Sequence, residues 1–302
     1  MIDLTKKLVK NEILVLLFHG VIPNQKFRIR NYTQKHIDID NFQLLLHSLR
    51  KSGTPISVDE LYLHITTNSK IPRNSFVITF DDGFWNNYAY AAPILEELNM
   101  PAVFYVTSDL IKDNKQTWID KIESAITQSN RSELKLEILR TTLRIENEYD
   151  KIETLQFLRK MMKHRKDIDL EDFADNLVFQ AIGNEDLKTI EDIDKKMNWS
   201  ELKELSDNSL FTIGGHGQTH KILGYLDKEE ARNEIYNSVK DLKAIANIDI
   251  KHYSYPEGFD GSFNEENIKQ LFSLGILTSM TTIDGTVKVG AAPYSLNRFL
   301  VS

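Results

Sequence analysis

Six short apolar runs, Ile13–Phe18, Phe76–Phe80, Ala102–Val106, Leu210–Ile213, Tyr253–Tyr255 and Ile276–Met280, each end in a polar or glycine-containing turn. Runs this short, bounded in this way, read as buried strands. Between them, apolar residues recur at three- and four-residue spacing, as in Phe42-Leu45-Leu46-Leu49, Ala91-Leu95-Leu98 and Ile235-Val239-Leu242. That spacing puts them on one face of a helix. Strand and helix in alternation predict an α/β fold built on a parallel sheet or barrel. From 112 to 198 the strand signal fades, and the apolar residues recur as Leu136-Leu139-Leu143, Leu155-Leu158-Met162 and Phe173-Leu177. This stretch is expected to be a helical insertion, 112–198, within a single domain spanning 1–302.

Composition narrows the chemistry. The chain has no Cys, which excludes disulfides, Cys-bound zinc, iron–sulfur clusters and thiol nucleophiles. Any metal must be held by His, Asp or Glu. The formal net charge of -7, with no concentrated basic patch, argues against a nucleic-acid surface. The apolar run Ile13–Phe18 is six residues long, below the about 7–15 of a secretory leader and the about 20 of a membrane span. The sequence is therefore read as a cytoplasmic protein with no membrane span.

Two constellations carry chemistry. Phe76–Phe80 runs directly into Asp81-Asp82-Gly83, which places adjacent carboxylates at the C-terminal end of a buried strand, where parallel α/β folds build their sites. Two neighbouring buried anions need a cation or a proton between them. A metal on one carboxylate, with the other free as a base, meets that need. The second constellation is His216-Gly-Gln-Thr-His220, the one His pair in the chain at i, i+4 spacing. On a helical turn that spacing brings both rings to one face. Two His and one carboxylate leave coordination positions open for water and substrate, as hydrolytic metal sites require.

These residues resemble a known family. Thr79-Phe-Asp-Asp-Gly83 and His216-x-x-x-His220 are similar to the first two motifs of the polysaccharide deacetylases, the NodB-homology domain of carbohydrate esterase family 4. Leu17-Phe-His-Gly-Val21, Pro101-Ala-Val-Phe-Tyr-Val106, Trp199-Ser-Glu-Leu202, Tyr253-Ser-Tyr-Pro-Glu-Gly258 and Leu296-Asn-Arg298 resemble further family segments, so the likeness covers about 13–111 and 197–302. It implies a distorted barrel of the (β/α)7 type. It also implies a metal-dependent hydrolase that removes an N-acyl group, acetyl or formyl, from an amino sugar or sugar precursor in surface-polysaccharide metabolism. The substrate would be nucleotide-, lipid- or oligosaccharide-linked.

Carried over residue by residue, Asp82, His216 and His220 are the metal ligands, zinc first, with manganese, cobalt or nickel as alternatives, and Asp81 is the general base. The Glu257 backbone N–H, after Pro256, is the oxyanion donor. Tyr255 and Pro256 of the third motif are placed at the substrate, as is Trp118, which resembles an aromatic element of some members. Three departures matter, one of them Glu257 where an aromatic residue is common in the family. Ser254 stands where the family carries an Arg that braces the base, and Arg298 is the candidate replacement. The family's late Leu-x-x-His acid is missing, and the candidate substitutes are His19, at the end of the first strand, and, second to it, His252, further back on its strand. Two alternatives stay open: a catalytically silent sugar-binding member, and an O-acyl carbohydrate esterase.

Overall fold

The computed structural model describes residues 4–23, 27–67, 69–183 and 192–302. The backbone divides into two compact units, one formed by 1–24, 35–115 and 196–302, the other by 25–34 and 116–195.

The first unit is a curled, predominantly parallel sheet with helices between its strands. Its main path runs Thr278–Met280, His252–Ser254, Phe211–Gly215, Ala102–Val106, Ser75–Phe80, Glu12–Phe18 and Val287–Lys288. Val287–Lys288 is antiparallel to its neighbour, and Phe299–Leu300 adds a parallel pairing to Glu12–Phe18. All six strands read from the sequence are present, each with bounds shifted by two residues at most. This is the distorted (β/α) barrel expected.

Side chains alternate across the strands. Phe18, Phe80 and Phe104 point outward and stack in turn, with ring centroids 5.3 and 5.0 Å apart, in the core that the helices cover. Val15, Val77, Val103 and Tyr105 point inward, joined by Ile56, Val58, Leu61 and Ile65 from the segment containing the Val58–Thr67 helix. On the central strand, Thr79 and then Asp81 follow Val77 on the inner face, so the pleat itself aims the first carboxylate into the barrel. Register brings the chemistry to one end. Phe18 pairs with Phe80 and Val106 with Gly215, so His19, Asp81 and His216 emerge together at the C-terminal ends of their strands.

Gly214 and Gly215 are strand residues. A Cβ on Gly214 would lie 2.3 Å from the Tyr105 ring, and one on Gly215 would lie 2.8 Å from the Tyr253 ring. Glycine is needed there for close approach of two aromatic side chains.

The second unit has its own core of Ile122, Ile126, Leu134, Leu155, Leu158 and Leu177. It carries the helices Trp118–Gln128, Glu148–Met162 and Leu170–Ile182, but Leu136-Leu139-Leu143 does not form one helix: Leu136 and Leu143 lie in strands and Leu139 in the short 3-10 turn Glu137–Leu139 between them. Glu133–Leu136 and Thr141–Arg144 form an antiparallel hairpin instead. In Glu133-Leu-Lys-Leu136 the two leucines are buried and the charged residues exposed, a period of two that outweighs the looser three-and-four spacing. Of the segment read as an insertion, residues 184–191 lie outside the described residues. No described helix is long and apolar enough to cross a membrane.

Candidate active site

Asp81 and Asp82 leave the strand in different directions because the backbone changes hand between them: Asp82 has φ 74° and Gly83 φ 71°. A left-handed aspartate is uncommon and strained, a feature that concentrates at functional sites. Asp82 Oδ1 lies 3.4 Å from His216 Nε2 and 3.2 Å from His220 Nε2. The ligand atoms of the three residues fall within 4.8 Å of one another, and all three side chains are largely buried. His216 is oriented from behind, where its Nδ1 donates to the Ser254 carbonyl at 2.7 Å, which leaves Nε2 facing the carboxylates. Such an outer partner sets the tautomer of a ligating histidine. Two imidazole nitrogens and one carboxylate oxygen, converging and with the back of one ring pinned, fit a divalent metal.

The His216–His220 segment is not a helical turn. It is an irregular loop with φ 79° at Gly217 and 69° at His220. The rings still meet, 5.0 Å apart and edge to face, because the loop doubles back.

Asp81 belongs to a second, fully buried assembly. The Arg298 guanidinium takes both its oxygens, Nη1 to Oδ1 at 2.8 Å and Nη2 to Oδ2 at 2.7 Å. The same guanidinium donates to Thr79 Oγ1, Ser254 Oγ and the Thr281 carbonyl. Ser254 Oγ also donates to Asp81 Oδ2 at 3.1 Å. Arg298 is 0% exposed. The strand position that carries an Arg in the resembling family thus holds a serine, and a guanidinium arrives from the chain end over that small residue.

The electrostatics follow from this packing. Burial by itself would raise the Asp81 carboxyl, but Arg298, with His216 nearby, outweighs it and holds the group below the ordinary carboxylate value. Burial of Asp82 is opposed by hydrogen bonds from His216 and His220, and its carboxyl falls well below that value. Burial, the largest single influence on His220, lowers it, but the hydrogen bond and the charge of Asp82, with the Glu257 carboxylate, together raise it above the ordinary histidine value. The half-buried His19 lies within electrostatic reach of both aspartates. Glu257 sits beside His220 at φ 62°, in a loop latched by Thr282, whose Oγ1 donates to the Glu257 carbonyl at 2.7 Å.

Two aromatic candidates are not at a substrate surface. Trp118 is 4% exposed and packs in the second unit's core, so neither ring face is open for a sugar to stack on. Tyr255 is 0% exposed; its ring stacks on Phe263 at 3.9 Å and its hydroxyl donates to the Tyr294 carbonyl. Pro256 is buried against Gly217, where it shapes the ligand loop. One residue near the site has no sequence signature. Lys196, 2% exposed, lays its ammonium 3.3 Å from the Phe84 ring centroid and adds positive potential at His220.

The sequence model of the polysaccharide deacetylases matches residues 68–158 and 178–278, more than half of the chain. A comparison with curated proteins finds no match. Among solved structures the chain is similar to IcaB from Ammonifex degensii, at 18% identity and TM-score 0.59, covering 97% of this chain and 92% of that one. It is similar to the Streptococcus pyogenes deacetylase PplD in complex with acetate, at 15% identity and TM-score 0.61, covering 97% and 93%. It is also similar to the de-N-acetylase from Aggregatibacter actinomycetemcomitans, at 16% identity and TM-score 0.57, covering 96% and 95%. At these identities the structural likeness speaks to the fold. The matched segments hold Asp81, Asp82, His216 and His220, and with the fold they place this chain in the polysaccharide deacetylase family.

Proposed function

We propose that this family member hydrolyses the N-acyl group, acetyl or formyl, of an amino sugar or sugar precursor, with a divalent metal held by Asp82, His216 and His220. The observation that supports this best is the meeting of two different carboxylate environments in one buried site. Asp82 is turned to two imidazoles, and Asp81 is locked to a guanidinium. Neighbouring carboxylates held in distinct surroundings mark distinct roles. When bound, the metal supplies Lewis-acid polarisation of the acyl carbonyl and of a water molecule.

Asp81, kept ionised by Arg298, takes a proton from the attacking water as its oxygen bonds to the acyl carbon. The Glu257 backbone N–H steadies the charge that develops on the carbonyl oxygen. As the C–N bond breaks, His19 delivers a proton to the departing nitrogen. Ser254 and Thr79 hold the pair rather than react.

Paired N-acyl and O-acyl sugars, assayed with and without chelator, test the reading. Chelator-sensitive release of acid from the N-acyl substrate is expected. Release from the O-acyl substrate alone would make the chain an esterase, and tight sugar binding without turnover would make it a silent binder.

Arg298 and His19 separate by the substrates they affect. In Arg298→Ala both amide and activated-ester hydrolysis should fall, because the base serves both. Without the guanidinium, burial dominates and raises the Asp81 pKa, so the acidic limb of the pH–rate profile should move to higher pH. In His19→Ala the amide should suffer far more than the ester, whose leaving group departs unprotonated. A profile unchanged in both variants, with wild-type amide turnover, would remove both assignments.

A further inference from the structure

The two histidines of the ligand triad lie on a loop that cannot use the internal hydrogen bonds of a helix, since Gly217 and His220 are left-handed. Something else must hold it. We propose that Glu234, on the Lys228–Ala246 helix, is the positioning residue that fixes this loop and so presents His216 and His220 to the metal. The inference rests on reading Asp82, His216 and His220 as a metal site.

Glu234 is 7% exposed and sends its carboxylate into the loop between the ligands. Its Oε2 accepts from Gln218 N at 2.8 Å and from Thr219 N at 3.0 Å, and its Oε1 accepts from the Thr219 hydroxyl. One side chain thereby engages two successive backbone N–H groups and a hydroxyl between His216 and His220. A buried carboxylate is tolerated when hydrogen bonds replace its water, and the charge strengthens each of them.

The neighbours complete the clamp. Asn237, one helical turn on, donates to Gln218 Oε1 at 3.0 Å. From the opposite side Ser108 N and Asp109 N donate to the carbonyls of Gly217 and Gln218, at 3.2 and 2.9 Å. A Cβ on Gly217 would lie 3.2 Å from Pro256 Cγ and 3.4 Å from Glu234 Oε2, so the loop is pressed between the carboxylate and the third-motif proline. The helix that carries Glu234 is itself seated, with Ala231, Ile235 and Leu242 buried and a capping box at Asp227 and Glu230. Glu234 touches neither the metal nor the reacting atoms in this scheme; it acts through the ligands.

The test measures zinc affinity of the full chain by competition with a chromophoric chelator, at a temperature where circular dichroism shows each variant folded. Glu234→Ala should weaken zinc binding by about 10–100-fold, the usual effect of removing a partner that orients metal ligands. Glu234→Gln keeps an oxygen for both N–H groups and an amide that can donate to the Thr219 hydroxyl, and should recover most of the affinity. A role in general stability alone would move the melting temperature and leave zinc affinity of the folded protein unchanged. Wild-type affinity in folded Glu234→Ala would therefore overturn the proposal. If Glu234→Ala does not fold, Thr219→Val decides: a measurable loss of affinity supports the clamp and an unchanged value overturns it. A wild-type chain that holds neither zinc nor manganese, cobalt or nickel would instead overturn the metal reading, and this inference with it.

Discussion

Asp81→Asn is expected to lower turnover by about 10²–10⁴, the usual contribution of a positioned general base, while metal content stays at the wild-type level. The structure adds a complication and the means to control for it. Asp81 neutralises Arg298, which is wholly buried, so the substitution strands a guanidinium in the barrel. Breaking a buried ion pair from one side costs about 3–5 kcal/mol, and the melting temperature of Asp81→Asn should fall accordingly. A double variant, Asp81→Asn with Arg298→Met, removes both charges, and such neutral replacements of buried pairs are often well tolerated. Recovered stability without recovered turnover would assign the activity loss to the missing base. Recovered turnover would mean that Asp81 serves the fold and not the proton transfer.

Loss of any one ligand should abolish stoichiometric metal binding, because an open three-ligand site has none to spare. The backbone dictates how each is best removed. Asp82 and His220 are both left-handed, with φ 74° and 69°, so Asp82→Gly and His220→Gly delete the ligand without the strain an alanine would carry there. His216→Ala serves at the third position. Elemental analysis after exhaustive dialysis should find metal in the wild type and almost none in each variant. Full occupancy in any of them would take that residue out of the ligand set.

The strands, and the Asp82, His216 and His220 residues that the fold brings together, are legible in the sequence for local reasons. A buried strand of a parallel sheet needs a short apolar run with turns at its ends, and Ile13–Phe18, Phe76–Phe80 and Ala102–Val106 have that form. Asp81-Asp82-Gly83 and His216-x-x-x-His220 are legible because their chemistry needs particular residue types at strand ends. The helical reading of Leu136-Leu139-Leu143 overlooked the stricter alternation in Glu133–Leu136, where period two competes with a period near 3.6 over only four residues. Trp118 shows the opposite error. Its type suits a sugar platform, but burial in the second unit's core leaves no face to use.

The sequence alone names the residues that could bind a metal and places Asp82 and His216 just beyond strand ends, since both depend on residue type and short-range periodicity, whereas it puts the histidine pair on a helical turn that the fold does not have. It also nominated Arg298 once Ser254 was seen in place of an arginine. Only the folded chain shows that this guanidinium reaches Asp81 bidentately from 217 positions away, over a serine small enough to admit it. Only it placed Glu234 under a loop whose left-handed residues rule out the helix that the histidine spacing suggested. Contacts of this kind depend on the register of the sheet and the packing of a helix against it, and pairs so distant in the chain leave no periodic trace within it.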